Sequence, residues 1–170
     1  MSEPLLLGRA RVLGDDVNTD YLISSTRKKE SLDPAVLRRY LLEDLDPAFA
    51  ASVVEGDILV AGRNFGCGSA MEVAVTTVLG AGISAVIAKS FSRTYWRNAI
   101  NNGLLAIVAD ADQIAEGQRL EVRLSGARPE LRVGEPPGRR IACEPLADFV
   151  LAMRQAGGLV PYLRQHRKLA

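Results

Sequence analysis

Histidine and cysteine are almost missing from this chain of 170 residues: it has one histidine, His166, and two cysteines, Cys67 and Cys143. Three or four Cys/His ligands cannot be assembled from that set. Neither a structural zinc nor an iron–sulfur cluster can therefore be held by this chain alone. If the chemistry needs such a centre, another chain must bring it. A carboxylate-bound Mg²⁺ has no motif here. Two cysteines so far apart read as free thiols of a reducing compartment. His166 lies in a basic tail, 165–170, read as frayed, which disfavours a Ser–His–Asp device.

An excess of either charge is also lacking. Lys+Arg 21 against Asp+Glu 20 leaves a net charge of +1. A nucleic-acid protein usually carries a basic surplus, and the basic blocks here, Arg27-Lys28-Lys29 and the last few residues, are short. No apolar run approaches the roughly 20 residues of a membrane span. The first residues put Glu3 where a signal peptide would be basic, and no cleavage-like site follows. The expectation is a cytoplasmic protein with no nucleic-acid and no membrane partner.

What the chain does have is 48% hydrophobic residues, enough at this length for one good core, so residues 1–170 are read as one domain. The stretch 58–82 organises the rest. Residues 58–61 are a short apolar run that reads as a buried strand. A glycine-rich turn follows, Gly66-Cys67-Gly68-Ser69. Met71, Val75, Val78 and Leu79 then recur at helical spacing until Gly80 and Gly82. Such a unit aims backbone N–H groups and the positive end of a helix at one point, which attracts a carboxylate or phosphate. Residues 85–88 and 104–108 read as two more buried strands, with a helix from Ser90 between them. The pattern is βαβαβ and a parallel sheet, so the fold class is α/β.

On either side the signals are weaker. Residues 5–13 read as a strand. The polar loop 14–20 holds Asp15, Asp16 and Asp20, but the calcium-binding EF-hand pattern is absent. Residues 24–31 read as a polar, basic loop. Asp33-Pro34 opens a helix to about Leu42, and Asp46-Pro47 a shorter one with Phe49 and Val53. After Asp110, residues 119–124 alternate like a half-exposed strand, 139–143 read as another, and the two form an antiparallel patch beside the parallel unit. Residues 145–155 are helical, with a last turn at 159–163.

Four readings compete for residues 66–72. Ser69 and Glu72 fit a capping box, a purely structural role. A dinucleotide site would need a third glycine where Met71 stands and an acid near Lys89, although Lys89 could meet a 2′-phosphate. Cys67 lies near a helix start, which favours a thiolate, but no CxxC and no histidine accompany it. Last, Ser69 could serve as the base of an oxyacid hydro-lyase, if strong local positive charge favoured its alkoxide.

Asn18-Thr19-Asp20, Gly56-Asp57-Ile58, the run 62–69 (GRNFGCGS), Ala88-Lys89-Ser90-Phe91 and the run 97–104 (RNAINNGL) together resemble the small subunits of 3-isopropylmalate dehydratases. These are the swivelling domain of the aconitase superfamily. The resemblance is strong over 15–108 and weak elsewhere. It implies a three-layer β/β/α swivelling domain with a central, mostly parallel sheet. It implies a large-subunit partner carrying a [4Fe–4S] cluster, with no cofactor on this chain. The reaction implied is dehydration and rehydration of a small hydroxy dicarboxylate, with 3-isopropylmalate of leucine biosynthesis the default. The alternatives are 2,3-dimethylmalate, homoaconitate, or a catalytically silent anion-binding module.

The family's usual turn reads Gly-x-Gly-Ser-Ser-Arg-Glu. Gly68, Ser69 and Glu72 match it, so Ser69 takes the catalytic base by resemblance, with Gly66, Cys67 and Gly68 at the substrate. Ala70 and Met71 replace the second serine and the arginine, which removes one carboxylate clamp. Arg27, with Lys28, lies in a segment resembling the family's substrate-recognition loop. These two are the expected replacements, since cationic side chains suit a carboxylate.

Overall fold

The computed structural model describes residues 5–167; Glu3 and the end of the basic tail, 168–170, lie outside them. Strand β1 (Leu5–Val12) opens the chain. Three short helices follow, α1 (Thr19–Leu22), α2 (Ser25–Glu30) and α3 (Pro34–Leu37), the last tightened into a 3-10 turn at Arg38–Tyr40. Next come α4 (Phe49–Ser52), β2 (Ile58–Ala61), α5 (Val73–Gly80), β3 (Ala85–Ala88), α6 (Arg93–Asn101) and β4 (Leu105–Val108). The rest of the chain forms β5 (Arg119–Arg123), β6 (Glu130–Val133), β7 (Arg139–Ile141), α7 (Asp148–Ala156) and α8 (Leu159–His166). Among the described residues no helix is long and apolar enough to cross a membrane.

The strands form one seven-stranded sheet in the order β4-β3-β2-β1-β5-β6-β7. Strands β4 to β1 run parallel and β5 to β7 antiparallel. The change occurs within β1. Its end, Ala10 to Val12, pairs in parallel with β2, and its beginning, Leu5 to Arg9, pairs antiparallel with β5. The sheet then curls until its two ends meet. Ala109, after β4, bridges Cys143, after β7, and the Glu144 amide donates to the Val108 carbonyl at 2.9 Å.

Period-two alternation decides what each face touches. Ile58, Val60, Ile87 and Ile107 point to one side, into a core shared with Leu120, Val122 and Leu131 of the antiparallel strands. Leu59, Ala61, Val86 and Ala106 point to the other, against Leu22, Leu37, Phe49 and Val78 of the helices. The layers are therefore antiparallel β, parallel β and α. The expected antiparallel patch is continuous with the parallel strands and folds over one face of them.

Several sequence expectations are corrected. The stretch 24–31 is mostly helix α2, because the Ser24 hydroxyl caps the Arg27 amide at 3.4 Å. The helix expected to reach Leu42 stops early: Leu42 has φ 58° and donates to the Leu22 carbonyl at 3.2 Å. The helix expected from Ser90 begins at Arg93, capped by Ser92. Strand β6 was not foreseen. The tail is helical through His166, whose ring stacks on Tyr162 with centroids 4.2 Å apart.

Candidate active site

The turn after β2 lies beyond the carboxyl end of a parallel strand, where open sheets place ligands. It is held from both sides. The segment before α1 bridges it at Asn18 and Cys67, and Phe65 bridges Phe91. The Gly66 amide donates to the Val17 carbonyl at 2.8 Å, and the Thr19 amide donates to the Cys67 carbonyl at 2.8 Å. The buried Thr19 hydroxyl donates to the Ser69 carbonyl at 3.0 Å, and Ser92 donates to the Gly66 carbonyl at 2.8 Å.

Two glycines are required here. Gly66 has φ +80° and Gly68 φ +95°, a region that penalises any Cβ. A Cβ on Gly66 would also enter the Tyr95 ring, and one on Gly68 would meet the Asn18 side chain. Tyr95 is itself fixed, edge-on to Phe65 at 5.1 Å and donating to the Ala74 carbonyl at 3.1 Å. Burial pushes its phenol well above the ordinary range, so it stays neutral.

What this rigid frame presents outward is Gly68, Ser69 and Ala70, all exposed. Among the described residues no partner takes the Ser69 hydroxyl, nor the amides of Gly68, Ser69 and Ala70. The capping box is not formed. Helix α5 begins only at Val73, and its N-cap, Glu72, makes no side-chain bond. The Ser69 carbonyl, which would have entered the helix ladder, is taken by Thr19 instead. The helix bonds start with the Ala74 amide on the Met71 carbonyl at 3.1 Å.

Gly66, Cys67, Gly68 and Ser69 therefore share one turn, with Cys67 a half-buried free thiol. Lys28 reaches Met71, just after that turn. Its side chain is 5% exposed, and its ammonium donates to Asp20 at 3.0 Å and lies 2.8 Å from the Met71 sulfur. Arg27 turns elsewhere. It binds Glu43 at 2.9 and 3.3 Å, touches Glu30 at 3.4 Å and lies 3.8 Å from the Tyr40 ring centroid. The bond to Glu43 raises its pKa further. Sequence reasoning gave no role to Thr19, Thr94 or Asn98. All three line the small cleft beside Ser69 and Met71. Two motifs touch them: Asn18-Thr19-Asp20 contains Thr19, and the run 97–104 contains Asn98.

That cleft holds about 10 Å³, room for about one water. Small-molecule pockets run to hundreds of Å³. A substrate here must be enclosed by a second surface.

The remaining candidates are accounted for by contacts within the chain. Asp15 accepts from the Arg63 amide at 2.7 Å, Asp16 from the Asn64 side chain at 3.0 Å, and Lys89 pairs with Asp112 at 2.5 Å. Among the described residues no three His, Cys, Asp or Glu side chains group to hold a metal ion.

The family model of the aconitase C-terminal domain matches residues 39–112. The 3-isopropylmalate dehydratase small subunit 1 of Methanopyrus kandleri is 41% identical over 164 residues, covering 95% of this chain and 94% of that one. The methanogen homoaconitase small subunit of Methanocaldococcus jannaschii is 40% identical, covering 96% and 94%. A crystal structure of a 3-isopropylmalate dehydratase from the same organism superposes with a TM-score of 0.89 at 40% identity, covering 96% of both chains. With this identity along nearly its whole length, the chain belongs to the family of aconitase-type dehydratase small subunits.

Proposed function

We propose that this chain is the cytoplasmic small subunit of an aconitase-type hydro-lyase, acting as one swivelling unit and active only when closed on its large subunit. The substrate is a branched hydroxy dicarboxylate, 3-isopropylmalate in leucine biosynthesis first. The observation that carries this reading is the Ser69 hydroxyl, exposed and without a partner among the described residues, on a turn held by Val17, Thr19 and Ser92.

Dehydration of a hydroxy acid needs a base for the proton on the carbon beside a carboxylate. Ser69 takes that proton on its oxygen as the carbon–carbon double bond forms and the C–O bond on the neighbouring carbon breaks, the hydroxyl leaving on the side that the large subunit would cover, and it returns the proton in the reverse step. A serine is a weak base, so its alkoxide needs nearby positive charge. The amides of Gly68, Ser69 and Ala70, without partners among the described residues, supply it. Gly66 and Cys67 shape the turn. Arg27 anchors α2 through Glu43 and so sets where Lys28 reaches. The cluster belongs on the large subunit, which also supplies the missing walls of the cleft.

A second reading, homoaconitate as substrate, is favoured by the 40% identity to a homoaconitase small subunit. Both are tested by assaying this chain, its co-expressed large subunit and the mixture on 3-isopropylmalate, 2,3-dimethylmalate and homoaconitate. The expected result is turnover in the mixture alone, highest on 3-isopropylmalate. Absence of turnover on all three, with the cluster intact, overturns the hydro-lyase reading in favour of a silent module.

A further inference from the structure

We infer that Lys28 is the carboxylate clamp of this site and that its open donor faces the position Met71 now fills; the inference rests on the hydro-lyase reading above. Helix α2 is polar throughout, and Lys28 is its one buried residue. Long charged side chains are seldom buried unless paired. An ammonium has three donors. Here one goes to Asp20 at 3.0 Å, a carboxylate that is itself 52% exposed. The contact on the other side is the Met71 thioether at 2.8 Å, a weak acceptor. A cation taken this far from water, with one carboxylate and a thioether, is under-satisfied. Met71 also lines the cleft beside Ser69. A carboxylate entering that cleft and displacing the flexible thioether meets the ammonium directly.

The clamp therefore arrives from a helix before the turn, not from the turn itself. Asp20 orients it, and position 71 stays apolar. The ligand it takes is one carboxylate of the hydroxy dicarboxylate. A lysine grips as a point charge, whereas an arginine fork binds both oxygens.

Kinetics of the assembled enzyme on 3-isopropylmalate test this. Lys28→Met should raise KM about tenfold to a hundredfold, the range of a lost charged hydrogen bond, with kcat moving less. L-malate, used as a competitive inhibitor, should weaken by the same factor. Adding Met71→Arg to that variant should restore most of the loss. Met71→Glu keeps the lysine and places a carboxylate on its open donor. It should raise KM similarly, and it decides the matter if Lys28→Met does not assemble. A KM within twofold of the parent in either variant, with the parent active, overturns the clamp alone. An inactive parent mixture overturns the hydro-lyase reading, and the clamp with it.

Discussion

Replacing Ser69 by alanine separates the chemistry of the turn from its architecture. The substitution removes one hydroxyl that is exposed and has no partner among the described residues. It leaves the Ser69 carbonyl on Thr19 and the glycine conformations untouched. The stability change should stay below about 0.5 kcal/mol, as for a surface position without a special contact. For a chain of this length that is about 1–2 °C in melting temperature. A true capping serine would cost about 1 kcal/mol, and roughly double that shift. Turnover should fall far more. Loss of a positioned proton acceptor is worth about a hundredfold to ten-thousandfold, or roughly 3–5 kcal/mol in the barrier. Thermal melting of the chain alone and steady-state rates of the assembled enzyme measure the two numbers. A variant that melts several degrees low, or that keeps its rate within threefold, refutes the assignment.

Two further predictions concern the frame. Asp57 is buried and takes Arg9 at 2.8 Å, Arg11 at 3.4 Å and the Val54 amide at 2.9 Å. Burial pushes its pKa up, but these contacts outweigh it and hold the carboxyl below its usual value. Its contribution is therefore present above the unfolded value, near 3.9, and is lost as pH falls through the folded one. Asp57→Asn should cost about 3 kcal/mol at pH 7, with the gap to the parent closing toward pH 3. Urea midpoints at both pH values report this, and a constant gap contradicts it. Thr77 is buried in α5 with its hydroxyl unpartnered among the described residues. Thr77→Val should stabilise by about 1 kcal/mol, or about 2–4 °C by calorimetry, and an unchanged or lower melting temperature would mean the hydroxyl has a partner.

Strands β2, β3 and β4 were legible because they are uninterrupted apolar runs, as strands buried on both faces must be. Strand β6 escaped notice. Its alternation of Leu131 and Val133 is only four residues long, follows Pro129 and carries Glu130 and Arg132. Helix α2 was invisible to periodicity, since what it buries is a lysine. The turn was found by its glycines, and of the four readings for it the capping box is one that the chain does not form. Nothing local to 69–72 shows that a threonine fifty positions earlier claims the Ser69 carbonyl. Pairings at such separation are set by the sheet and leave no trace in spacing. Arg27 and Lys28 are neighbours in sequence, and only the geometry separates the one tied to Glu43 from the one at the turn.

Strand β1 carries a consequence for how the molecule is made. It precedes β5 in the chain, yet among the described residues its opening half is matched only by Arg119–Arg123. Until that distant segment leaves the ribosome, Leu5 to Arg9 offers unpaired backbone to any passing extended chain. Long-range closure of this kind slows folding and leaves nascent molecules open to aggregation. A product truncated before β5 should accumulate insoluble, even though it carries the whole glycine turn.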